Sequence, residues 1–195
     1  SEIRRRRSAA AGGLGNLADP RAVEPLIAAL KDEDGLVRKV AGSSLRRILG
    51  DQGFADRLAA DLQSEDKRLR ASAIEALAEM NDKQAVQPLI AALTDQDPTV
   101  RSSAATTLGM LADPRVVEPL IAALGDDDET VRQSVANALG QLGDERAIEP
   151  LRAALKTKDG RVRSSVAAAL ALLGDAQAVE SLLQVLNDPN YNPPH

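Results

Sequence analysis

AVEPLIAAL, at residues 22–30, decides the fold because this nine-residue pattern returns along the chain. The later copies are AVQPLIAAL at 85–93, VVEPLIAAL at 116–124, AIEPLRAAL at 147–155 and AVESLLQVL at 178–186. The leucine that closes the pattern, or its equivalent Leu62 in a divergent copy, recurs at steps of 31 residues with a single step of 32. A fixed period of this length predicts a stack of similar units.

Each repeat contains two amphipathic helices, as the spacing of its apolar residues indicates. The first, which we call helix A, is represented by Val86, Leu89, Ile90 and Leu93 at positions i, i+3, i+4 and i+7. The second, helix B, is represented by Val100, Ala104, Leu108 and Leu111, at spacings of 4, 4 and 3. Because no strand pattern lies between them, the chain is predicted to be all α-helical.

Aspartate and proline mark the helix starts. In Asp113-Pro114 and Asp97-Pro98, an N-cap acceptor precedes a proline that suits the first helical position. A further proline recurs inside helix A, about six residues after the capping aspartate, where it removes a backbone donor. We expect helix A to kink or restart after its first turn. These internal prolines are Pro25, Pro88, Pro119 and Pro150.

The units D-P-R-x-V-E-P-L-I-A-A-L and D-x-x-V-R-x-x-A-x-x-x-L resemble the HEAT-like repeat of the phycobilisome-lyase type, from Arg4 to Leu186. The resemblance implies an all-α, right-handed α-α superhelix, a HEAT-like solenoid with about five full two-helix repeats of 31 residues. Residues 1–18 match helix B alone and residues 175–187 match helix A alone, so a half repeat is expected at each end. We therefore expect one domain over 1–187 and an irregular tail over 188–195.

The composition restricts the chemistry. The chain has no cysteine and its only histidine is His195, so thiolate sites and the usual zinc and Ser-His arrangements are not expected. The net charge is −5, although residues 1–50 carry ten Lys and Arg against six Asp and Glu, and this acidity indicates against a general nucleic-acid binder. No apolar run approaches the ~20 residues that a membrane span needs, and no signal segment opens the chain. We expect a cytoplasmic protein without membrane association.

One charged pair recurs in every repeat, with an arginine four residues after an aspartate. The pairs could form an anion-binding or acid-base track. Their regular recurrence favours a structural ladder, in which each aspartate caps helix B and each arginine bridges to the aspartate of a neighbouring unit. The resemblance implies the same structural role. The ladder residues are Asp34 and Arg38, Asp66 and Arg70, Asp97 and Arg101, Asp128 and Arg132, and Asp159 and Arg163.

The outward face of helix B is the predicted partner surface, because the resemblance implies that it lines the inside of the superhelix. In the last three repeats its residues are small and mostly uncharged, which suits a polypeptide better than a polyanion. Small residues could equally let neighbouring B helices approach each other, and both interpretations stay open. The candidate groove residues are Lys39, Ser43, Arg47, Ser72, Glu75, Ser102, Ser103, Thr106, Gln133, Ser134, Asn137, Gln141, Ser164 and Ser165.

Two segments depart from the repeat. Between residues 51 and 63, Arg57 stands where proline is expected, Phe54 is the only core aromatic residue, and one extra residue precedes it. This difference reflects either drift in a tolerant repeat or a change of curvature that shapes a binding site. Near the start, Arg4 to Arg7 form either a solvated first turn of helix B or a basic patch for an acidic partner.

These observations predict a non-enzymatic protein-binding scaffold whose partner, another protein or a peptide, occupies the concave groove. No catalytic, cofactor-binding or metal-ligating residue is assigned. The resemblance leaves two alternatives, because this repeat serves many unrelated proteins. One is a subunit of a bilin lyase or a related chromophore-handling protein, and the other is an engineered repeat-protein binder.

Overall fold

The structure is a computed structural model that describes residues 2–80, 85–157 and 159–175. Those residues contain ten α-helices, joined by short 3-10 helices and turns, and no strand. The predicted all-α repeat fold of the α-solenoid class is therefore confirmed. Within the same residues, no helix is both long and apolar enough to cross a membrane.

The chain consists of two compact units, residues 1–85 and residues 86–195. The first unit contains α1 (Glu2–Leu17), α2 (Val23–Ala29), α3 (Gly35–Asp61) and α4 (Lys67–Met80). The second contains α5 (Val86–Ala92), α6 (Pro98–Leu111), α7 (Val117–Ala123), α8 (Glu129–Leu142), α9 (Ile148–Ala154) and α10 (Gly160–Leu172).

The helices follow the order of helices A and B that the sequence predicts. In the first unit, α1 is the helix B of a half repeat, α2 packs on α3, and the second part of α3 precedes α4 as its helix A. In the second unit, the pairs are α5 with α6, α7 with α8 and α9 with α10. Neighbouring B helices also pack together within each unit, α1 on α3 and α3 on α4, then α6 on α8 and α8 on α10. The predicted C-terminal half repeat and tail fall on residues outside the described part of the chain, apart from Asp175.

The core is made of the apolar residues that recur in the two helices. A leucine of helix A is fully buried in five repeats, and so is a leucine of helix B. Burying one such side chain contributes roughly 1.5–3 kcal/mol, so these leucines hold the helix pairs together. They are Leu26, Leu58, Leu89, Leu120 and Leu151 in helix A, and Leu45, Leu77, Leu108, Leu139 and Leu170 in helix B.

Helix A restarts after one turn in three repeats, as its prolines predict. Asp19, Asp113 and Asp144 each cap a 3-10 helix, and α2, α7 and α9 begin directly after it. The internal proline is then the third residue of the α-helix. Because the backbone N–H groups of a first turn have no intrahelical acceptor, proline there costs no helical hydrogen bond.

The α3 helix differs from the others because it crosses a repeat boundary without a 3-10 turn. Gly50 interrupts its helical geometry with φ 72° and ψ 173°, and this positive φ is one that glycine adopts without strain. Helical geometry resumes over residues 51–61, where Arg57 replaces the proline of the other copies. The irregular copy is therefore α-helical from its first residue.

Candidate functional site

The recurring aspartates cap helix B. In each repeat the carboxylate accepts a hydrogen bond from the backbone N–H two residues further on, at 2.8–3.0 Å. A cap of this kind stabilises a helix by about 1 kcal/mol, so these carboxylates serve the fold. The capping residues are Asp34, Asp66, Asp97, Asp128 and Asp159.

The recurring arginines close the turn that precedes their own helix. Arg101 Nη1 donates to the backbone carbonyl of Asp95, six residues back, at 2.8 Å. Because the acceptor belongs to the main chain, this bond forms whatever side chain the turn carries. The same bond is made by Arg38, Arg70, Arg132 and Arg163.

The acceptor in the next repeat is not the one that the ladder predicts. Arg101 binds Asp126 through Nε and Nη2, both at 2.7 Å, and Arg7 binds Asp32 at 2.9 and 3.0 Å. The predicted acceptor was the capping aspartate, which lies two residues later in each turn. In both pairs the guanidinium binds the residue two positions before the cap, while the capping carboxylate accepts a backbone N–H of its own helix.

The residue two positions before each cap is a structural part of the turn that sequence reasoning missed. Its side-chain oxygen accepts a hydrogen bond from the backbone N–H of the capping aspartate, at 2.8–3.2 Å. An aspartate, serine or threonine at this fixed spacing was the signal that could have revealed it. These residues are Asp32, Ser64, Asp95, Asp126 and Thr157.

The arginine bridge changes where this turn residue carries no carboxylate. The turn after Arg38 carries Ser64 at that position, and Arg38 binds Glu75 of α4 instead, at 3.0 and 3.2 Å. Glu75 is more than half exposed, whereas the side chain of Asp126 is only 9% exposed. The bridge of Arg38 is therefore the more solvated of the two and is expected to contribute less stability.

Electrostatics reinforces the pair of Arg101 and Asp126. Burial raises the pKa of the Asp126 carboxyl, but hydrogen bonds, led by the one from Arg101, outweigh burial and hold this pKa below its ordinary value. The hydrogen bond to Asp126 in turn raises the pKa of Arg101. Both groups therefore stay charged at neutral pH, which suits a structural ion pair better than a proton-transfer site.

The predicted groove residues lie at the surface of helix B, with one exception. Ser72 is buried, and its Oγ donates to the backbone carbonyl of Leu30 at 2.5 Å. Leu30 directly follows α2 as its C-cap, where helices leave carbonyls without intrahelical partners, so Ser72 has a structural role and not a groove position. The exposed residues are Lys39, Ser43, Arg47, Glu75, Thr106, Asn137 and Gln141, and the partly exposed ones are Ser102, Ser103, Gln133, Ser134, Ser164 and Ser165.

Some hydroxyls on this face form bonds within the protein. Thr106 Oγ1 donates to the backbone carbonyl of Ser102 at 3.0 Å, a common way for a helical threonine to satisfy its donor. The hydroxyls of Ser102 and Ser134 share a hydrogen bond of 2.8 Å between α6 and α8. Small residues of this face therefore help neighbouring B helices to approach, which supports one of the two interpretations of the sequence.

Glycines bring neighbouring B helices into close contact. A Cβ added to Gly109 would lie 2.8 Å from Cα of Ala138, and one added to Gly140 would lie 2.8 Å from Cα of Ala169. Gly15 of α1 makes the same kind of approach to α3. Each glycine lies eight residues after the recurring arginine of its helix, so this eighth position is a contact point between B helices.

The α3 helix carries Arg46 at the eighth position, and a cavity of about 270 Å³ lies between α3 and α4. Arg46 lines this cavity together with Ala76 of α4, which is the sequence counterpart of Ala138 and Ala169. Phe54 of the irregular copy lines its apolar side and is itself 2% exposed. Within the first unit, α1 carries a glycine at the eighth position and packs closely on α3, whereas α3 carries Arg46 there and faces α4 across the cavity.

Asp61 is a buried carboxyl in the irregular copy. Arg57 Nε donates to Asp61 Oδ1 at 2.8 Å, while Oδ2 has no hydrogen-bond partner. Burial raises the pKa of this carboxyl. No group of three or more His, Cys, Asp or Glu that could hold a metal ion occurs in the described part of the chain. At the position of Asp61, the last copy has Val185 and the other four have alanine, at Ala29, Ala92, Ala123 and Ala154.

Known proteins share this architecture. No curated protein sequence matches the chain. In the structure of the complex of CpcE and CpcF of phycocyanin lyase from Nostoc sp. PCC7120, the similar chain is 28% identical, with a TM-score of 0.61 over 87% of this chain and 72% of that chain. Human deoxyhypusine hydroxylase is 24% identical, with a TM-score of 0.57 over 86% and 67%. An engineered protein is 25% identical, with a TM-score of 0.52 over 94% and 60%.

The structural similarities agree with the repeat pattern of the sequence. The hydroxylase shows the fold alone, whereas the phycocyanin lyase chain bears out the resemblance to the phycobilisome-lyase type of repeat. A family model described as HEAT repeats matches residues 4–60, 55–136 and 117–193, which together span nearly the whole chain. The chain belongs to the HEAT-repeat family.

Proposed function

We propose that this chain is a non-enzymatic protein-binding scaffold, and that the outward face of helix B holds a polypeptide. The observation that carries the proposal is the surface of α6, α8 and α10. Met110 and Leu172 are 62% and 68% exposed there, among the exposed uncharged residues Thr106, Asn137 and Gln141. Exposed apolar side chains among uncharged polar ones suit a polypeptide surface better than a polyanion.

The charged residues of this unit support the same proposal because their partners lie within the protein. Arg101 is occupied by Asp126 and by main-chain carbonyls, and the Asp97 carboxylate caps α6. Groups that recur with the same partners in repeat after repeat serve the stack. What varies from repeat to repeat is the exposed row of helix B, which is where specificity for one partner can reside.

The comparison with phycocyanin lyase supports a protein partner. The similar structure is a complex of two proteins, CpcE and CpcF. A concave groove built from helix B is the surface that we propose for the partner of this chain.

Photo-crosslinking tests the proposal. A photo-reactive amino acid replaces Thr106, an exposed residue of α6. In the control it replaces Ala122, an exposed residue of α7. Irradiation in extract from the source cells is expected to attach a polypeptide to the Thr106 probe and not to the Ala122 probe. Crosslinks from Ala122 alone, or from both probes equally, would move the partner off helix B.

A charge variant completes the test. Thr106→Arg with Asn137→Arg places two cations on the face of helix B, and Ala122→Arg with Ala153→Arg places two on helix A of the same unit. All four positions are exposed, so both variants are expected to fold. The first should lose the crosslinked partner and the second should keep it. Retention by both variants would contradict the proposal.

A bilin lyase subunit is the second candidate, favoured by the 28% identity to the phycocyanin lyase chain. No residue of this chain is assigned a role in that chemistry. Incubation with a bilin and an acceptor phycobiliprotein separates the two candidates. Covalent attachment of the bilin to the acceptor, dependent on this chain, would replace the non-enzymatic proposal.

A further inference from the structure

Helix B has two sides that contact neighbouring B helices, and a position of the repeat marks each side. In the second unit, the hydroxyls of Ser102 and Ser134 meet near the starts of α6 and α8, and Gly109 approaches Ala138 near their ends. The two helices therefore run parallel and in register. The eighth position after the recurring arginine, here Gly109, marks what we call the front side, and the sixth position, here Ala138, marks the back side.

The close contacts between B helices join a front side to a back side. Gly140 of α8 meets Ala169 of α10 in this way, and Gly15 of α1 meets Ser44 of α3. Each contact pairs a glycine with a small residue, because the helix backbones approach more closely than two side chains allow. A glycine opposite an alanine or serine is therefore the mark of this contact.

The back side of α1 and the front side of α10 are both exposed, and both carry small residues. Gly13 is the sixth position of α1, and a Cβ there would meet nothing within 4 Å. Ala171 is the eighth position of α10 and is exposed, as is Ala168 one turn earlier. Gly13 and Ala171 thus match in size the pairs that form the contacts within the units, with the glycine on the other partner.

A further side of α1 is exposed where other B helices are buried. Ala10 lies three residues after Arg7 and is exposed, whereas the residues at that position of the five other B helices are 0% exposed. Leu17 lies seven residues further along the same side of α1 and is 75% exposed. This side of helix B carries the apolar stripe that packs on helix A in the other repeats, so α1 presents a surface that fits a helix A. The buried counterparts of Ala10 are Ala41, Ala73, Ala104, Val135 and Val166.

The sequence that follows α10 carries the pattern of such a helix. AVESLLQVL at 178–186 is the last copy of the helix A pattern, with apolar residues at positions i, i+3, i+4 and i+7, and it lies outside the described part of the structure. Charge agrees with a contact to α1. Residues 176–188 carry Glu180 and Asp188 without Lys or Arg, whereas residues 2–17 carry four arginines against one glutamate. Opposite charges favour association and set its orientation.

We propose that this chain associates head to tail with a second copy of itself, so that α10 and residues 178–186 of one copy pack against α1 of the other. Gly13 then lies against Ala171 of the second copy, and residues 178–186 of that copy cover Ala10 and Leu17 as a helix A. The contact is heterologous because it uses different surfaces on the two copies. The proposal does not depend on whether the outward face of α6, α8 and α10 binds another protein.

Sedimentation velocity of the full chain tests the proposal. The weight-average sedimentation coefficient should rise with protein concentration, with a Kd of about 10–100 µM for the contact, because one repeat junction is smaller than the interface of a stable dimer. A wild-type chain that stays monomeric at about 1 mM would contradict the proposal.

Two arginine variants each block one surface of the contact. Gly13→Arg places a bulky cation on α1, where a Cβ has open space, and Ala171→Arg places one at an exposed position of α10. Both should fold, which the helical circular dichroism signal checks. Each variant alone should self-associate at least about tenfold more weakly than the wild type. Ala122→Arg, at an exposed position of α7, is the control and should associate like the wild type.

A mixture of the two variants separates a head-to-tail contact from a symmetric one. The Gly13→Arg chain keeps an unaltered α10 and the Ala171→Arg chain keeps an unaltered α1, so their equimolar mixture should form a one-to-one complex with the wild-type affinity. A mixture that associates no more than its components would overturn the proposal. Self-association of either variant alone at wild-type strength would do the same.

Crosslinking tests which segment covers α1. A photo-reactive amino acid in place of Ala10 should attach to residues 176–188 of a second copy, and mixing isotopically labelled with unlabelled chains distinguishes this from attachment within one copy. Attachment within one copy, attachment to another segment of the second copy, or no attachment in the associated chains would contradict the proposed occupant.

Discussion

The contact between α8 and α10 and the contact between α3 and α4 use the same positions of the repeat and give opposite results. In the first, Gly140 lets Ala169 approach so closely that a Cβ on the glycine would lie 2.8 Å from its Cα. In the second, Arg46 replaces the glycine, and it lines a cavity of about 270 Å³ with Ala76. In these two contacts the closed one has a glycine at this position and the open one has an arginine.

The contrast between glycine and arginine at this position also occurs within the first unit. The first unit contains both kinds of contact, since Gly15 brings α1 close to α3 while Arg46 stands between α3 and α4. The open contact coincides with the irregular copy, which contributes Phe54 to the cavity. The departure at residues 51–63 therefore accompanies a local change of packing in the first unit.

Gly140→Val should break the closed contact and have the largest effect. The added side chain meets Ala169, and overpacking of this kind costs about 3 kcal/mol. The free energy of unfolding from urea titration measures it. Gly13→Val, where a Cβ meets nothing within 4 Å, is the control and should change stability by less than about 1 kcal/mol. Similar losses in both variants would mean that the close approach of α8 and α10 has no energetic importance.

Arg101→Ala should come next, because it removes a bidentate partner of Asp126. The two side chains are only 12% and 9% exposed, so the loss should be about 2 kcal/mol. Arg38→Ala is the matched change in the first unit, where Glu75 is 57% exposed. Besides the loss of its turn bonds, removal of the bridge to Glu75 should cost less than about 1 kcal/mol. The free energy of unfolding from urea titration measures both variants. Equal losses would mean that the buried bridge to Asp126 is no stronger than the exposed bridge to Glu75.

Asp61→Ala should stabilise the first unit by about 1 kcal/mol at neutral pH, because it removes a buried carboxylate oxygen without a partner. The raised pKa of Asp61 sets the pH dependence: its charged form is disfavoured in the folded state, so the penalty appears as pH rises through the ordinary value towards the raised one. The gain should therefore shrink in acid. Asp56→Ala, at an exposed position of the same helix, is the control. A loss of stability in Asp61→Ala would show that the bond from Arg57 outweighs burial.

The smallest expected effect is the contribution of Asp126 to the pH dependence of stability in acid. The pKa of Asp126 is held below its ordinary value, so its contribution is present above the unfolded pKa of about 3.9 and is lost as pH falls through the lower folded value. The wild-type chain should thus lose stability more steeply below about pH 4 than Arg101→Ala, by about 1 kcal/mol or less. Parallel curves in the two proteins would contradict the role of Arg101 in lowering that pKa.

The repeat pattern was sufficient to predict the helix pairs, because periodic apolar residues such as Leu108 and Leu139 determine which faces are buried. It was insufficient for the arginine bridge, since the capping aspartate and the residue two positions before it recur with the same period. Only geometry distinguishes Asp126 from Asp128 as the acceptor of Arg101.

The candidate site was less predictable than the fold. Ser72 has the same sequence register as the partly exposed Ser103, yet it is buried on the carbonyl of Leu30. The glycines at the eighth position are visible in the sequence, but their meaning depends on the distance between two helices. The cavity beside Arg46 could not be predicted because periodicity describes one helix at a time.

The most direct test of the difference between the two contacts is a proton NOE measurement on the variant Arg46→Gly. In the wild-type chain, the α-protons of Gly140 and the methyl group of Ala169 should give a strong NOE, which serves as the internal reference. We expect the variant to gain an equivalent NOE between the α-protons at position 46 and the Ala76 methyl group, because α4 can then approach α3. Absence of that NOE in a folded variant would show that Arg46 does not hold the cavity open.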